Sequence, residues 1–521
     1  MNADSRALLT PYVTNLDRPV FVLRNLPEEV VAVLFAYYSR SRDDLRSNLL
    51  KLIQDRDLDM AGAVLPADED EAALAQAKEK ARQFHEKWVV GYGHASVAEH
   101  AVAHVAVEDV SILVSKAIED HRLASYTEKS TRFVVFERGR CYRPAEEELS
   151  PALREEYDAA VDRLFATYED TYEKLMPQVV ARLEAEADPS MFQSETGFRA
   201  ACRAQACDLL RYLLPAATRT NVGLTANARA LEHMVTKLLS HPLAEARAVG
   251  AAIQREAQQV IPTLIKYAAR NDYREQTPQA IAGLARKLLP QAPSLTARGQ
   301  EFRSQCTSGG PVRLVEYPAD AEERLAAAIL YEQSALPWER VREWVAALPQ
   351  GERERVIDEY LKRRGKWDAP LRCLEHLSYT YEILVDFGAY RDIQRHRMCT
   401  QTDQPLTVAH GFEMPTRLAE YGFAAPFETA MERAAAAYRK LAEQDPHVAQ
   451  YVVPLAFRKR LLITWNLREI HHFVTLRSQR QGHFSYRRIA HEVWHELGRV
   501  HPFLARFIEP DTKDYELARS G

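Results

Sequence analysis

Two stretches of the chain, EHLSYTYEILVDFGAYRDIQRHRMCT (residues 375–400) and EHAVAHVAVEDVSILVSKAIEDHRLAS (residues 99–125), determine how the rest of the sequence is interpreted. Each begins with a Glu-His pair, continues through a β-rich segment and reaches a His-Arg pair. The interval from His100 to His121 is 21 residues, and that from His376 to His396 is 20. A repeat of this kind decides the architecture before any single motif does. We infer that the chain contains two copies of one ancestral domain.

Other markers recur in the same order around these two stretches. In the first half they are Ala36-Tyr37-Tyr38-Ser39 and Asn227-Ala228-Arg229; in the second half they are Tyr331-Glu332-Gln333-Ser334 and Asn466-Leu467-Arg468. Between the halves, residues 288–318 are punctuated by Pro, Gly and Ser, which is typical of a domain boundary. We therefore predict a first repeat over residues 1–285, a linker over 286–310 and a second repeat over 311–521.

Hydrophobic periodicity predicts an α+β fold that is rich in helix and has antiparallel sheet. Apolar residues recur at helical spacing in four segments, which are Glu71–Trp88, Leu153–Glu184, Leu243–Arg270 and Ala430–Glu443. Strand candidates, with β-branched or aromatic residues in partial alternation, are Val97–Val110, Thr131–Phe136, Val312–Tyr317 and His376–Leu384.

The bulk composition narrows the class of protein. A formal net charge of −5 argues against a surface built to neutralise nucleic-acid phosphates. Six cysteines lack paired metal spacing and are too few for a disulfide scaffold. No apolar run approaches the roughly 20 residues that span a bilayer, and the N-terminus lacks a signal-peptide pattern. We expect a cytoplasmic protein with reduced thiols and with neither a membrane nor a nucleic acid as partner.

Both His-Arg pairs lie in loops whose side chains suit an anionic ligand. The loop over 120–132 combines cations, hydroxyls and carboxylates, and the loop over 394–400 places Arg395, His396 and Arg397 in succession. Arginine offers a bidentate fork for phosphate. Successive cations are costly unless solvent or a polyanion meets them, and the pyrophosphate of a dinucleotide would suffice. A solvated helix end is the alternative interpretation of the first loop.

These loops resemble the Arg-His-Arg-x-x-Ser loop of the flavin-dependent thymidylate synthase family, continued by that family's Glu-x-Ser-x-Arg segment. The resemblance covers most of both halves and implies two flavin-dependent-thymidylate-synthase-like domains. In that family the site forms where subunits of a homotetramer meet, with flavin, deoxyuridylate and folate stacked together. Supporting blocks are His94–His100, Leu214-Pro215, Thr225–Arg229, Pro454-Leu455, Thr464–Arg468 and Leu476-Arg477.

The two halves depart from the family pattern in complementary ways. The first half has Asp120 in place of the leading arginine but keeps Glu128, Ser130 and Arg132. The second half keeps the Arg-His-Arg triplet, yet has Asp403, Pro405 and Thr407 where the nucleotide loop would carry Glu, Ser and Arg. Likewise, Leu238 stands at the position of Arg477, and Gln450 at that of Arg211. We infer one class of composite site in a homodimer that is equivalent to the family tetramer.

The resemblance also implies a reaction and a role for each matching residue. The reaction is reductive methylation of dUMP to dTMP, with methylenetetrahydrofolate and NADPH as co-substrates and FAD as the cofactor that carries the chemistry. Arg477 is expected to act catalytically by orienting the uracil and stabilising negative charge on it. The expected substrate-binding residues are Glu128, Ser130, Arg132 and Arg211, and the expected FAD-binding residues are Arg395, His396, Arg397, Asn466, Arg468 and His472; no metal site is expected.

Two alternatives remain open from the sequence. Erosion of both halves would leave a flavin- or nucleotide-binding relative without synthase activity. The segment from His491 to His501 also matches the HExxHxxGxxH pattern of zinc metallopeptidases, with Glu492 as the base and His495 as the second ligand. No methionine follows Met431 to form the turn which that class requires, and ordinary hydrogen bonding explains these histidines better.

Overall fold

The computed structural model describes residues 2–38, 41–54, 98–186, 192, 194–261, 265–289, 310–365, 368–513 and 515. The predicted helix Glu71–Trp88, residues 94–97 of the first supporting block, Ser39 and most of the predicted linker lie outside these ranges. Two compact units divide the chain. The first comprises Met1–Val110, Ala117–Glu128 and Thr220–Pro290; the second comprises Ser111–Lys116, Lys129–Arg219 and Gln291–Gly521. These units cut across the sequence repeats, whose boundaries stay a prediction.

The described residues form helices and two small sheets, as the periodicity predicts. The strands are β1 (Val102–Ser111), β2 (Ala124–Glu128), β3 (Arg219–Asn227), β4 (Val312–Glu316), β5 (Ser378–Asp386), β6 (Thr400–Asp403) and β7 (Arg458–Asn466). The helices are α1 (Ala3–Leu9), α2 (Glu28–Tyr38), α3 (Leu45–Gln54), α4 (Ile112–Glu119), α5 (Pro151–Glu186), α6 (Glu195–Leu210), α7 (Ala228–Leu239), α8 (Ala244–Ala257), α9 (Asp272–Leu288), α10 (Ala321–Glu332), α11 (Trp338–Ala347), α12 (Gln350–Leu361), α13 (Phe387–Ile393), α14 (Thr416–Glu420), α15 (Ala424–Gln444), α16 (Pro446–Ala449), α17 (Leu467–Arg477), α18 (Phe484–Val500) and α19 (Pro502–Ala505).

The first unit contains the sheet with strand order β1-β3-β2. Strand β2 runs antiparallel to β3, with Glu128 opposite Val222. Helix α7 follows β3 directly and buries Leu231, Val235 and Leu238 on one face, because residues four and seven positions apart share a helix side. A separate cluster of buried apolar residues joins α1 to α2 and α3; its members are Leu9, Tyr12, Val13, Leu34, Leu45 and Leu49.

The second unit contains the sheet with strand order β4-β5-β7-β6. Strands β5 and β7 are antiparallel over their whole length, from Ser378 opposite Asn466 to Asp386 opposite Arg458. Alternate residues point into the core, which is why the odd-numbered positions are apolar or aromatic throughout β5 and, in β7, from Leu461 onward. The buried side chains of this face are Tyr379, Tyr381, Ile383, Val385, Leu461, Ile463 and Trp465.

The structure confirms the α+β fold and the duplication. The order β1-β3-β2 of the first sheet reappears as β5-β7-β6 in the second, to which β4 is added. Asn227 and Asn466 each cap the helix after the central strand, accepting a backbone N–H at 2.8 Å. The repeat markers also pair within each copy: Arg229 donates to Glu99 at 2.5 Å, and the Nη1 of Arg468 donates to Glu375 at 3.1 Å. The recurring residues therefore perform the same structural tasks twice.

Within the second unit, matching segments of the two repeats pair with each other. The N–H of Leu455 donates to the carbonyl of Leu214, and the N–H of Ala216 donates to that of Val453, both at 2.9 Å. A second reciprocal set flanks the first and joins Ala456 to Tyr212 and Ala217 to Tyr451. Reciprocal contacts of this kind are the signature of a twofold interface between identical subunits. One chain thus holds internally a contact of the type that two copies would otherwise make.

Two details of the sequence prediction were wrong. Residues 131–136 form a turn instead of a strand, because the N–H of Val134 bonds back to the carbonyl of Ser130 at 3.2 Å. The helix predicted over Leu243–Arg270 ends at Ala257. The residues that follow form a turn, in which the N–H of Val260 donates to the carbonyl of Ala257 at 3.0 Å. None of the five cysteines in the described ranges forms a disulfide. No helix of the described residues is long and apolar enough to cross a membrane.

Candidate functional site

Helix α13 of the second unit carries a carboxylate that is surrounded by arginines. Asp392 lies in the last turn of this helix, and its side chain is 13% exposed. Burial alone would raise the pKa of Asp392, but the attraction of four guanidiniums outweighs burial and holds its pKa below the ordinary value. In descending order of influence, these guanidiniums belong to Arg395, Arg211, Arg477 and Arg132. The cluster joins arginines of both sequence halves within one compact unit.

Arg211 is the most deeply buried cation of this cluster. Its side chain is 2% exposed, and Nη1 lies 3.7 Å from Oδ2 of Asp392. Its Nε and Nη2 have no hydrogen-bond partner among the residues that the structure describes. A Cβ at Gly388 would lie only 3.2 Å from these two nitrogens, so glycine lets the guanidinium rest against the backbone of α13. Buried polar groups are normally satisfied, and such an exception needs an explanation.

Arg132 is held by a second carboxylate. Its Nε and Nη2 donate to the two oxygens of Asp208 at 2.8 and 3.1 Å, Nη1 donates to the hydroxyl of Tyr486 at 2.9 Å, and Nη2 also donates to the carbonyl of Gln481 at 3.2 Å. Although burial opposes it, Asp208 raises the pKa of Arg132. One N–H of Nη1 is left over by this count of donors. Arg132 can therefore offer a ligand charge and a single hydrogen bond, but no bidentate grip.

Arg477 ends α17 and is oriented by a histidine. Its Nε donates to Nε2 of His396 at 2.9 Å, while Nδ1 of His396 lies 2.6 Å from the carboxylate of Glu469. Nε2 must accept, so the proton of a neutral ring sits on Nδ1 and is donated to Glu469. Burial lowers the pKa of His396, and the nearby charge of Arg477 lowers it further against the opposing effect of Glu469. The chain from Glu469 through His396 fixes the direction of Arg477.

The remaining sequence-predicted residues are placed unevenly. Ser130 accepts the backbone N–H of Arg132 on its hydroxyl at 3.2 Å, whereas Glu128 lies on β2 and belongs to the first unit. The side chain of Asn466 is used as a helix cap. Arg468 donates to Glu375 and, at 2.7 Å, to the carbonyl of Pro370. With both side chains engaged within the chain, FAD contacts by Asn466 and Arg468 stay a prediction.

The loop before β6, with Arg395 and Arg397, suits a pyrophosphate better than Asn466 and Arg468 at the start of α17 do. Arg395 is exposed, Arg397 is half-buried, and Met398 between that turn and the strand is 64% exposed. Two guanidiniums on one open turn suit the bidentate recognition of phosphate oxygens. His472 is exposed, and its ring centre lies 5.4 Å from that of His396. The loop and His472 together could hold the phosphate end of a dinucleotide cofactor.

Sequence reasoning missed three acidic residues that organise this cluster. Asp392, Glu469 and Asp208 each face a predicted basic residue, but carboxylates dispersed along the chain carry no pattern that links them to it. Only one signal was available for Asp392, namely its position three residues before Arg395, at the end of the short helix that precedes the loop. The pairing of Asp208 with Arg132 joins residues 76 positions apart, which no local rule can find.

The equivalent positions of the first repeat lack this arrangement. Counting back from the aligned His-Arg pairs, Asp392 corresponds to Ala117 and Arg395 to Asp120. Counting on from the aligned capping asparagines, Glu469 corresponds to Ala230 and Arg477 to the buried Leu238. Asp120 instead receives a hydrogen bond from the Nζ of Lys237 at 2.7 Å. Only the second repeat supplies the carboxylate, the histidine relay and the terminal arginine.

The metallopeptidase pattern does not assemble a ligand set. His491 donates from Nε2 to the carbonyl of Asp511, and His501 donates from Nε2 to that of Pro318, each at 2.9 Å. A ring nitrogen that donates a proton cannot bind a metal through the same atom. In the part of the chain that the structure describes, no group of three or more His, Cys, Asp or Glu side chains is placed to hold a metal ion. These histidines are structural.

The fold and the cluster thus define a duplicated α+β protein with a buried arginine site built from both copies. The family model for the thymidylate synthase complementing protein, Thy1, matches residues 49–263 and again 313–503. The chain therefore belongs to the flavin-dependent thymidylate synthase family, as a tandem of two copies.

Relatives of the whole chain and of single copies agree with this placement. A UPF0159 protein of Chlamydia muridarum is 35% identical over 99% of this chain and 96% of its own length. A UPF0159 protein of Thermoplasma acidophilum is 30% identical over 85% of this chain and 91% of its own length. A flavin-dependent thymidylate synthase of Thermococcus onnurineus is 28% identical over 31% of this chain and 56% of its own length. The tandem arrangement is thus shared by the full-length relatives.

Proposed function

We propose that the chain is a flavin-dependent thymidylate synthase that reductively methylates dUMP to dTMP. The observation that carries this proposal is Arg211, a cation 2% exposed with two unpartnered nitrogens beside a cluster of further arginines. Arg395, Arg477 and Arg132 add their positive charges around the same carboxylate, Asp392. A phosphomonoester offers negative charge and several oxygens that can accept hydrogen bonds from the two unpartnered nitrogens of Arg211.

Each protein group has a task that follows from its environment. Arg211 grips the phosphate, Arg132 adds charge and one hydrogen bond, and the hydroxyl of Ser130 completes the oxyanion contacts. Arg477 faces the pyrimidine and stabilises the negative charge that develops on it, because a preoriented donor in a water-poor site costs no reorganisation. His396 and Glu469 keep that guanidinium in position. The substrate is thus held at both ends by groups from different repeats.

Bound FAD, once reduced, supplies the hydride, and methylenetetrahydrofolate supplies the carbon. Arg395 and Arg397 are the residues whose position suits the pyrophosphate of this cofactor, with His472 beside them. NADPH is the proposed reductant. We further propose that two chains form a homodimer equivalent to the family tetramer, because the reciprocal contact between repeats already replaces one subunit interface within the chain.

The test compares Arg211→Met with Arg199→Met, a matched control on the preceding helix whose arginine is 76% exposed. Anaerobic protein reconstituted with FAD receives NADPH, dUMP and methylenetetrahydrofolate, and dTMP is quantified by mass spectrometry. Visible absorption follows flavin reduction, and sedimentation reports the oligomeric state. We expect dTMP from the wild type and from Arg199→Met, and a loss of about 100-fold or more in kcat/KM for Arg211→Met, the size seen when one electrostatic donor is removed.

The outcomes separate the open alternatives. Retention of FAD and dUMP without any dTMP would identify a nucleotide-binding relative and refute the synthase proposal. Equal activity of Arg211→Met and the wild type would show that the arginine cluster does not bind the substrate. Protein that neither takes up FAD nor binds dUMP would contradict both functions.

A further inference from the structure

Three aspartates lie near Arg211 or Arg132, and they differ in how their oxygens are used; Asp208 and Asp386 are buried, and Asp392 is 13% exposed. Asp208 gives both oxygens to Arg132. Asp386 caps α13 by accepting the N–H of Ala389 at 2.8 Å, and its other oxygen accepts the hydroxyl of Ser485. Each oxygen of these two side chains has a protein partner, as buried polar groups normally do, and burial raises the pKa of Asp386.

Asp392 is the exception. Among the described residues it accepts no hydrogen bond, and its nearest cations are Nη1 of Arg211 at 3.7 Å and Nη1 of Arg477 at 3.9 Å. Both separations exceed the 2.7–2.9 Å of a charge-assisted hydrogen bond by about 1 Å. Its surroundings keep this carboxylate ionised, so it can only accept. The two arginines that flank it are those to which we assign opposite ends of the nucleotide.

We propose that Asp392 determines the specificity of the anion site, by accepting a hydrogen bond from an N–H or O–H group of the bound nucleotide. The inference rests on the proposed binding of dUMP. A deoxyuridylate carries two such donors, the imide N–H of its base and the 3′-hydroxyl of its sugar. Sulfate at neutral pH carries no proton, so it offers negative charge without a hydrogen-bond donor, and Asp392 repels it. The site therefore favours a phosphomonoester with a donor at the correct distance over a simple anion.

The position of Asp392 distinguishes this role from mere charge balance. A carboxylate kept only to neutralise Arg211 would be expected to form the close, hydrogen-bonded pair that Asp208 forms with Arg132, because a buried ion pair offsets its desolvation only with good geometry. Instead, the carboxylate stands off from both neighbouring guanidiniums while Nε and Nη2 of Arg211 remain unsatisfied. Asp392 thus has an unused hydrogen-bond acceptor, and Arg211 has two unused donors, Nε and Nη2. A ligand with both phosphate oxygens and a donor satisfies all of them.

The experiment measures affinity by calorimetry on the full chain, reconstituted with FAD, for the wild type and Asp392→Asn. The probes are dUMP, sulfate, 3-methyl-dUMP, which lacks the imide N–H, and 2′,3′-dideoxyuridine monophosphate, which lacks the 3′-hydroxyl. Asparagine conserves the shape of aspartate and removes the charge. We expect the preference for dUMP over sulfate to fall about tenfold or more in Asp392→Asn, since removal of one nearby charge in a partly buried site is worth at least that factor.

The two analogues identify the donor on the wild-type protein alone, so the test does not depend on the variant folding. We expect one of them to bind about tenfold more weakly than dUMP to the wild type, and to lose that difference in Asp392→Asn. Weaker binding of 3-methyl-dUMP identifies the base N–H as the donor to Asp392, and weaker binding of the dideoxy analogue identifies the sugar hydroxyl. If both analogues bind the wild type as dUMP does, or if Asp392→Asn keeps the preference over sulfate, the inference is overturned. Failure of dUMP itself to bind the wild type would instead overturn the proposed function.

Discussion

A buried histidine on α17 makes the stability of the second unit sensitive to acid. His471 is 3% exposed, and its Nδ1 accepts a hydrogen bond from Nη1 of Arg364 at 3.0 Å. Burial, with a contribution from the charge of Arg364, lowers the pKa of His471 to about 3. In the unfolded chain the same ring titrates near 6.5. Below that pH the unfolded state binds a proton that the folded state does not bind. The free energy of unfolding therefore decreases as the pH is lowered.

The size of the effect follows from the difference between the two pKa values. At pH 5, which is about 1.5 units below the unfolded value and still above the folded one, the loss is about 2 kcal/mol at roughly 1.4 kcal/mol per unit. The substitution that tests it is His471→Asn, because the asparagine oxygen can take the position of Nδ1 and accept from Arg364 without titrating. The exposed His447 provides the control variant, His447→Asn.

Urea unfolding followed by tryptophan fluorescence, at pH 7.5 and at pH 5.0, measures the change for each protein. We expect the wild type and His447→Asn to lose about 2 kcal/mol more than His471→Asn between the two pH values. A constant offset between the proteins is immaterial, since only the difference across pH counts. Equal losses for His471→Asn and the wild type would refute the reasoning, because His471 would then titrate alike in the folded and unfolded states.

Two further predictions concern packing and the orientation of the candidate catalytic arginine. Gly250→Ala should lower the free energy of unfolding by about 1–3 kcal/mol, because the new Cβ would lie 2.7 Å from that of Leu238. Gly283→Ala, with no described atom within 4 Å of the new Cβ, should raise it by up to about 1 kcal/mol. Thermal unfolding measures both variants, and equal shifts would contradict the close contact at Gly250. Glu469→Ala should leave the Nδ1 proton of His396 without its acceptor, loosen the ring and Arg477, and lower kcat for dUMP methylation more than it changes KM. Glu469→Gln, whose amide oxygen can still accept that proton, should restore most of kcat, and a kcat for Glu469→Ala equal to that of the wild type would refute the positioning role.

The sequence was sufficient for the duplication and the α+β class, because both depend on patterns that recur along the chain. The Glu-His and Asn-x-Arg markers recur because Glu375 pairs with Arg468 in one repeat and Glu99 pairs with Arg229 in the other. The function of Asn466 was harder to predict. An asparagine that directly precedes a helix is a typical cap, and this local rule explains its recurrence without any ligand.

The arginine cluster could be predicted only in part, because its geometry depends on contacts distant in sequence. The complementary departures of the two repeats led to the inference of a composite site, and the structure places Arg132, Arg211 and Arg477 near one carboxylate, Asp392; that this cluster binds the substrate stays a prediction. The acceptors that surround them, Asp208 and Asp392, follow from the packing of α6 and α13 and from no recurring pattern. A basic motif in a sequence identifies the cations of an anion site, whereas the carboxylates that tune it become visible only in three dimensions.

Fusion explains why the two repeats could lose different parts of one site. In a symmetric assembly of identical subunits, every copy must carry both Arg211 and Arg477, because each site draws on two copies. Once the reciprocal contact around Leu214 and Leu455 is held within one chain, each repeat needs only the residues that it contributes to the retained site. Leu238 then packs as a core residue where its counterpart Arg477 faces the cluster. The asymmetry of the sequence is therefore what selection on a single class of site, as proposed above, would leave.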